Sequence, residues 1–590
     1  FDPNYDGQTF DLSFGHTQRP WLVPLSATEA SPFGPSSQGW RISEVQDAKA
    51  KANAETSNGE ADETVICHVA ADGFEERMVP FPVPSGSYRD LAVVKDGVVW
   101  IEVADRGGEL GATRAGVTGE APSDVLWHYN LSARHLDKLC ERVDTFSVSG
   151  DGERLVVRHR DDTIVVPSSH KVDDDDPAYI RVDLTRLRRT VNPRAEWRQM
   201  FDENGRLMAS HYWREDMNGV DWDGVLNRYR PLVDLCHVVD DLHDILWETV
   251  AELNTSHSYV SASGAAGDSD MRAGLLGADV SSGNDGAKVV RVIPGESSDP
   301  RAWSPLRAAG VAVTEGDVIV AVDGRKVGAD GNLGELLEGS AGRVVELTVR
   351  RGENERQVAV VPMADEAPLR YHDWVASRRR YVEEHSGGRL GYLHVPDMVS
   401  DGWAELHRQI GEATRHEGVI ADVRFNHGGH TSQLVVERLA RRVVGWDYSR
   451  WYATADTYPQ NAVRGPIVMV TNQWAGSDGD IVAAATQAMG YAKVIGERSW
   501  GGVVGIDGRF DLVDGTSVTQ PRYAGWYGSY GWGVENHGVD PDIVVTVSPE
   551  DWEADCDVQL DAAIAECLRQ LDDKPAATAP ELPGPAFDRC

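Results

Sequence analysis

"GPIVMVTNQWAGSDGDIVAAATQAMGYAKVIGE", residues 465–497, decides the fold. The apolar run 466–471 reads as a buried strand, and the small apolar residues 478–489 read as a helix. A second apolar run begins at 492. A strand, a helix and a strand joined by short loops form a βα unit of a parallel sheet. The same alternation stands upstream, in "GRLGYLHVPD" (388–397), a helix over 402–414, "GVIADVRFN" (418–426) and a helix over 431–444. Residues 365–572 are therefore expected to form an α/β domain, with polar residues in the loops at strand ends. Residues 573–590 read as a flexible tail.

In that unit Ser477 stands between strand and helix, where free backbone N–H groups and the positive helix end point outward. Serine is a common helix cap. The same position can also present a hydroxyl as a nucleophile and stabilise an oxyanion. A second loop, "DVRFNHGGHTSQL" (422–434), pairs two glycines between strand and helix, and either Gly428 or Gly429 can bring an N–H close to a ligand. A serine hydroxyl attacks poorly near neutral pH without a base, so the base must lie elsewhere in the chain.

Working outward, the chain of 590 residues has room for roughly three to five domains. Residues 265–364 carry "SPLRAAGVAVTEGDVIVAVDGRKV" (304–327) and "RVVELTVRRGENERQVAVVP" (343–362), which resemble a PDZ domain of the protease-associated kind. "GLLGADV" (274–280) is its expected carboxylate-binding loop. Residues 190–264 read as a small helical or mixed domain, with Trp197, Met200, Phe201 and Leu207 on an apolar stripe. Residues 1–185 read as all-β, with strands separated by D-G turns at the spacing of propeller blades. Only three or four blades fit, which suggests a partial β-propeller and missing upstream sequence. The segments 31–39 and 43–63 read as an insertion.

Composition limits the partners. With 57 basic and 94 acidic residues the formal charge is −37, which repels nucleic acid and anionic membranes. No apolar run is long enough to cross a membrane. The first residues lack the pattern of a signal peptide and an initiator Met, so the chain reads as processed or cropped. Six irregularly spaced cysteines point to a reducing compartment and a cytoplasmic protein. "CHVVDDLHD" (236–244) lacks a metal-binding pattern, "VDDDDP" (172–177) reads as a solvated acidic loop, and no nucleotide fingerprint occurs. No metal and no cofactor are expected.

A PDZ-like segment, a strand ending in N-x-G-G, a serine after an apolar strand and "VIGERSWGG" (494–502) together look like the tail-specific processing proteases. That resemblance implies a serine–lysine dyad with the lysine about 25 residues beyond the serine, where this chain has Gly502, and Lys493 falls before the motif. Histidine suits proton transfer near neutral pH. "ELNTSHSY" (252–259) offers His257 after Ser256, and "GWGVENHGVDPDI" (531–543) offers Glu535. These segments, with Ser477, resemble the tricorn proteases, relatives of the tail-specific enzymes.

That resemblance covers nearly the whole chain. It implies a multidomain protein of partial β-propeller, small helical domain, PDZ domain and an α/β catalytic domain of the crotonase/ClpP-like type. It implies a tetrad of Ser477 as nucleophile, His257 as base, and Ser256 and Glu535 behind the imidazole. The N–H groups of Gly429 and Asp478 would form the oxyanion hole, with Gly428 the adjacent alternative. Asp447, contributed by a neighbouring subunit, would favour basic P1 side chains. The substrates implied are short peptides released by the proteasome, the assembly is a homo-hexamer, and aminopeptidases act downstream. Two other readings stand beside it: a tail-specific protease with a rearranged base, and a catalytically silent PDZ and propeller scaffold.

Overall fold

The computed structural model describes residues 3–6, 11–14, 18–26, 33, 69–71, 74, 77–104, 123–160, 162–262, 271–296, 299, 301–328, 331–451, 453–507 and 510–582. They divide into two compact units, the first within residues 1–190 and the second from Val191 onward.

The first unit holds two four-stranded antiparallel sheets, each in chain order. One runs Tyr88–Val94, Gly97–Glu102, Val125–Asn130 and His135–Glu141; the other runs Thr145–Val148, Arg154–His159, Asp162–Pro167 and Ile180–Arg181. The D-G turn at Asp96 closes the first hairpin, with Val94 paired to Gly97. Alternating apolar residues face inward, so Val99, Ile101, Leu126, Leu139, Leu155 and Val157 share one core. Phe81 packs edge-on against Trp100 and Tyr129 at 5.6 and 5.3 Å. Such up-and-down sheets have the strand order of propeller blades. The segments expected as an insertion, 31–39 and 43–63, lie outside the described residues apart from Phe33.

The second unit begins with three helices, α1 (Pro193–His211), α2 (Trp222–Val233) and α3 (Val239–Ala251). The Asn192 side chain caps α1 by accepting from Ala195 N, with Pro193 at the first position. Met200, Phe201 and Leu207 are buried as the stripe predicts, while Trp197 is half-buried against the same core. Gly205 lets α2 approach closely: a Cβ there would meet Leu226 at 2.8 Å, and Trp222 donates its indole N–H to Gly205 O at 3.0 Å. This core also takes in Leu512 and Val518, far along the chain. The helices therefore pack on the α/β region rather than standing alone.

The segment expected to be a PDZ domain forms a sheet in the order Ala278–Gly283, Gly286–Val292, Val318–Val322, Val345–Arg351, Asn354–Val360. Its core gathers Leu276, Val289, Ile319, Leu347 and Val358 with Leu333 and Leu336 of a short helix. The carboxylate-binding loop departs from expectation. Gly274 N donates to Leu337 O, Leu275 N to Met363 O, and Gly277 N to the Glu366 carboxylate. Three amides of the 274–280 loop are thus already satisfied within the chain.

The α/β region builds on five parallel strands in chain order: β1 (Leu390–His394), β2 (Gly418–Asp422), β3 (Ile467–Thr471), β4 (Ala492–Gly496) and β5 (Ile543–Val544). β1 to β3 are buried throughout, which explains their unbroken apolar runs. On one face α4 (Ala367–His385) and α8 (Val558–Asp573) bury Val375, Val382, Leu560, Ile564 and Leu571 against Tyr392, Ile420, Val468 and Ile495. Between the strands run α5 (Ser400–Ala413), α6 (Ser432–Leu439) and α7 (Asp478–Met489). The helix expected over 431–444 ends at Leu439, because the chain turns into the hairpin Gly445–Asp447/Asp456–Tyr458. Buried Arg424 ties the end of β2 to α8, donating to Asp422 at 2.7 Å and to Asp557 at 2.8 Å. Of the expected tail, Ala577 holds to the body by donating its N–H to Arg464 O at 2.8 Å.

Candidate active site

Ser477 sits where β3 hands over to α7, at the C-terminal ends of the strands, where open α/β sheets bind ligands. Its backbone adopts φ 57° and ψ −119°, and its side chain makes no cap bond to the helix it precedes. Ser477 thus holds the cap position through its backbone alone, its carbonyl accepting from Ile481 N at 3.1 Å. A non-glycine residue held at positive φ costs about 1–3 kcal/mol and persists only where its surroundings impose it. The surroundings here are tight. Gly476 N donates to Asn426 O at 3.0 Å. A Cβ on Gly428 would stand 2.5 Å from Ser477 Cβ and 3.0 Å from its Oγ. The glycine loop thus lies against the serine, and its φ of +76° needs a glycine as well.

The two glycines differ in what their amides do. Gly428 N donates to Asn426 Oδ1 at 2.9 Å, so it is spent on the turn. Gly429 N and Asp478 N have no acceptor among the described residues. The Asp478 carboxylate reaches across to the other loop, accepting from Ser432 N at 2.8 Å and Ser432 Oγ at 2.7 Å. Burial raises this carboxyl above its usual range, and the Ser432 bonds oppose the shift. The side chain of Asp478 fixes the two loops to each other while its amide stays available.

His257 and Glu535 come from opposite ends of the unit. Strand Val260–Ser261 pairs antiparallel with Ser517–Val518, and Tyr259 N donates to Thr519 Oγ1 at 2.7 Å. This pairing brings the arm after α3 into the α/β region. There Ser256 N donates to Glu535 Oε1 at 2.7 Å and Ser256 Oγ donates to Glu535 Oε2 at 2.9 Å. His257 Nδ1 lies 3.0 Å from Ser256 Oγ. The Ser256 proton is committed to a carboxylate, which only accepts, so Nδ1–H must donate to Ser256. That tautomer leaves a lone pair on Nε2. Burial lowers the His257 pKa, partly opposed by the Glu535 charge, and the lowering favours the neutral ring.

Sequence reasoning missed the segment that joins the halves. Residues 499–504 donate four successive amides: Gly501 N and Gly502 N to Asp480 at 2.8 and 3.2 Å, then Val503 N and Val504 N to Glu535 at 2.8 and 3.0 Å. Trp500 within it meets the His257 ring edge-on at 5.5 Å, and a Cβ on Gly476 would touch its indole at 2.7 Å. Gly502, where the dyad lysine of the other reading would stand, has no room for a side chain: a Cβ would lie 2.1 Å from Trp500. The paired glycines at 501–502 were the only signal of this in the sequence.

Asp447 is not brought to these residues within one chain. It lies exposed in the 445–458 hairpin, opposite Asp456. Among the described residues no three His, Cys, Asp or Glu side chains are grouped to hold a metal, and no helix is long and apolar enough to cross a membrane.

Residues 193–251 match the family model of the Tricorn protease C1 domain, 274–365 that of the Tricorn protease PDZ domain, and 389–545 that of Peptidase family S41. Over 588 residues the chain is 53% identical to Tricorn protease homolog 1 of Streptomyces coelicolor, across 99% of this chain and 54% of that relative. The chain belongs to the tricorn protease family. Putative tricorn protease homolog 2 of the same organism is 42% identical over 98% of this chain and 49% of its own length. A solved structure, described as the crystal structure of the tricorn protease, superposes with a TM-score of 0.81 at 30% identity, covering 97% of this chain and 53% of that chain. The chain thus spans about half the length of these tricorn relatives, and shares their multidomain fold with PDZ and S41 parts.

Proposed function

We propose that this chain carries the catalytic half of a serine peptidase that hydrolyses short peptides through an acyl-enzyme. His257 Nε2 takes the proton of Ser477 Oγ, and the oxygen attacks the scissile carbonyl carbon. The oxyanion that forms accepts from Gly429 N–H and Asp478 N–H. His257 then gives its proton to the leaving amine as the C–N bond breaks. Water, deprotonated by the same imidazole, adds to the acyl carbon, and Ser477 leaves with the proton returned. Ser256 and Glu535 hold the ring in the tautomer this cycle needs and stabilise the imidazolium.

The observation that carries the reading is the His257–Ser256–Glu535 relay, which leaves Nε2 unprotonated in the same unit as an uncapped serine at positive φ. The substrates would be short peptides such as proteasome products, finished by aminopeptidases, with the catalytic chains arranged as a cytoplasmic hexamer in which Asp447 of one copy selects basic P1 residues in the next. The β-sheets of the first unit would be the last blades of a propeller.

The test is labelling by a serine-directed phosphonate. Wild-type chain should be modified at Ser477, and His257→Ala should slow labelling and peptide cleavage by several orders of magnitude. Normal cleavage by Ser477→Ala would end the proposal. Unaffected cleavage by His257→Ala would move the base elsewhere.

A further inference from the structure

Asp480 lies three residues beyond Ser477 on α7 and is fully buried. A carboxylate is expensive to bury, and among the described residues no arginine or lysine is hydrogen-bonded to this one. Its acceptors are filled instead by Ser499 Oγ and by the amides of Gly501 and Gly502. Ser499 Oγ in turn accepts from Val539 N at 2.8 Å, and Asn536 N donates to Gly501 O at 2.7 Å. The same short segment continues into Val503 and Val504, whose amides go to Glu535. Two carboxylates therefore divide one strap between them: Asp480 belongs to the nucleophile's helix and Glu535 to the histidine's relay. Trp500, in the middle, donates its backbone N–H to Ala475 O at 2.9 Å and packs between Gly476 and His257.

We infer that Asp480 is a positioning residue for the peptidase reaction, holding the 499–504 strap so that the Ser477 helix and the His257 relay keep one alignment. The inference rests on the reading of Ser477 and His257 given above. Asp480 touches neither substrate nor reacting atoms; it acts through Gly501, Gly502 and Trp500. A carboxylate is needed because its lone pairs face only donors, Ser499 Oγ and the amides of Gly501, Gly502 and Ser477, whereas an amide would turn an N–H toward one of them. The titratable group facing it is Tyr527, which burial and then the Asp478 and Asp480 charges push up to about 12. Burial raises Asp480 itself to about 6.

Asp480→Asn in the full chain tests this through kcat, KM, phosphonate labelling at Ser477 and the pH profile. The expected result is a fall in kcat of about 10- to 100-fold with KM little changed, since misplacement of the reacting groups is what is lost. Labelling should slow by the same factor, and the acid limb of kcat/KM should flatten from a two-proton to a one-proton slope. Ser499→Ala, which removes one donor and leaves the amide bonds, should show a smaller fall in the same parameters. Wild-type kcat and pH slope in a folded Asp480→Asn would overturn the inference. If that variant fails to fold, Ser499→Ala and Asp480→Glu decide: unchanged kcat in both overturns it, and reduced kcat with unchanged KM supports it. His257→Ala run alongside separates the two levels. If it is inactive while Asp480→Asn is normal, only the positioning role fails; if it is fully active, the underlying reading fails.

Discussion

At Gly428 the backbone lies against Ser477, the proposed nucleophile, and a single methyl tests that contact. Gly428→Ala places a carbon 2.5 Å from Ser477 Cβ at a φ of +76°, so either the loop or the serine must move. Cleavage should fall by about 100-fold or more, with thermal unfolding shifted far less, since displacement of about 1 Å already costs that much rate. Activity near wild type would show that the loop yields freely. Glu535 tests the electrostatics. Burial lowers the His257 pKa and the Glu535 charge raises it, so Glu535→Gln removes the raising influence and the pKa drops further. The acid limb of kcat/KM should move to lower pH while the plateau rate falls; a limb moving to higher pH would contradict the assignment. Ser477, His257 and Glu535 were singled out from short motifs, and the roles proposed for them reside in side chains. Asp480 and Trp500 were not. The donors that meet the Asp480 carboxylate are mostly backbone amides, which any residue supplies, so sequence alone carries almost no trace of the strap.

Among elements, the pairing of Val260–Ser261 with Ser517–Val518 does more than its length suggests, because it delivers His257. Thr519 reinforces it, accepting from Tyr259 N and donating to His257 O. Thr519→Val keeps the shape and leaves both backbone groups unpaired. It should lower stability by about 1–3 kcal/mol in denaturant unfolding. It should also reduce kcat more than KM, and an unchanged midpoint would mean water replaces the hydroxyl at no cost. The parallel sheet itself was readable, since fully buried strands declare themselves as unbroken apolar runs. The premature end of α6 at Leu439 was not, because residues 440–444 carry no glycine or proline before Gly445 to mark the break. Nor was the filling of the 274–280 loop, which depends on Glu366 arriving from the start of α4.

At the scale of the whole molecule, the hairpin carrying Asp447 is the feature that one chain leaves unexplained. If copies assemble and Asp447 serves its neighbour, two defective chains should repair each other. Co-expressed Ser477→Ala and Asp447→Asn chains would form some sites with an intact serine beside an intact aspartate. Cleavage after basic residues should then exceed that of Asp447→Asn alone; no recovery in a confirmed mixed oligomer would remove Asp447 from the site. The order of domains was legible because each segment has its own period. Any association of copies is not legible in that way, because it would be written on surfaces. The strap at 499–504 has a last consequence for motion. Its amides are held by acceptors from two distant stretches, one beside Ser477 and one beside Ser256. None of them can meet solvent by local fraying alone. In hydrogen–deuterium exchange Gly501 through Val504 should trade protons together and slowly, at the pace of sub-global opening, so the centre is either wholly assembled or wholly undone.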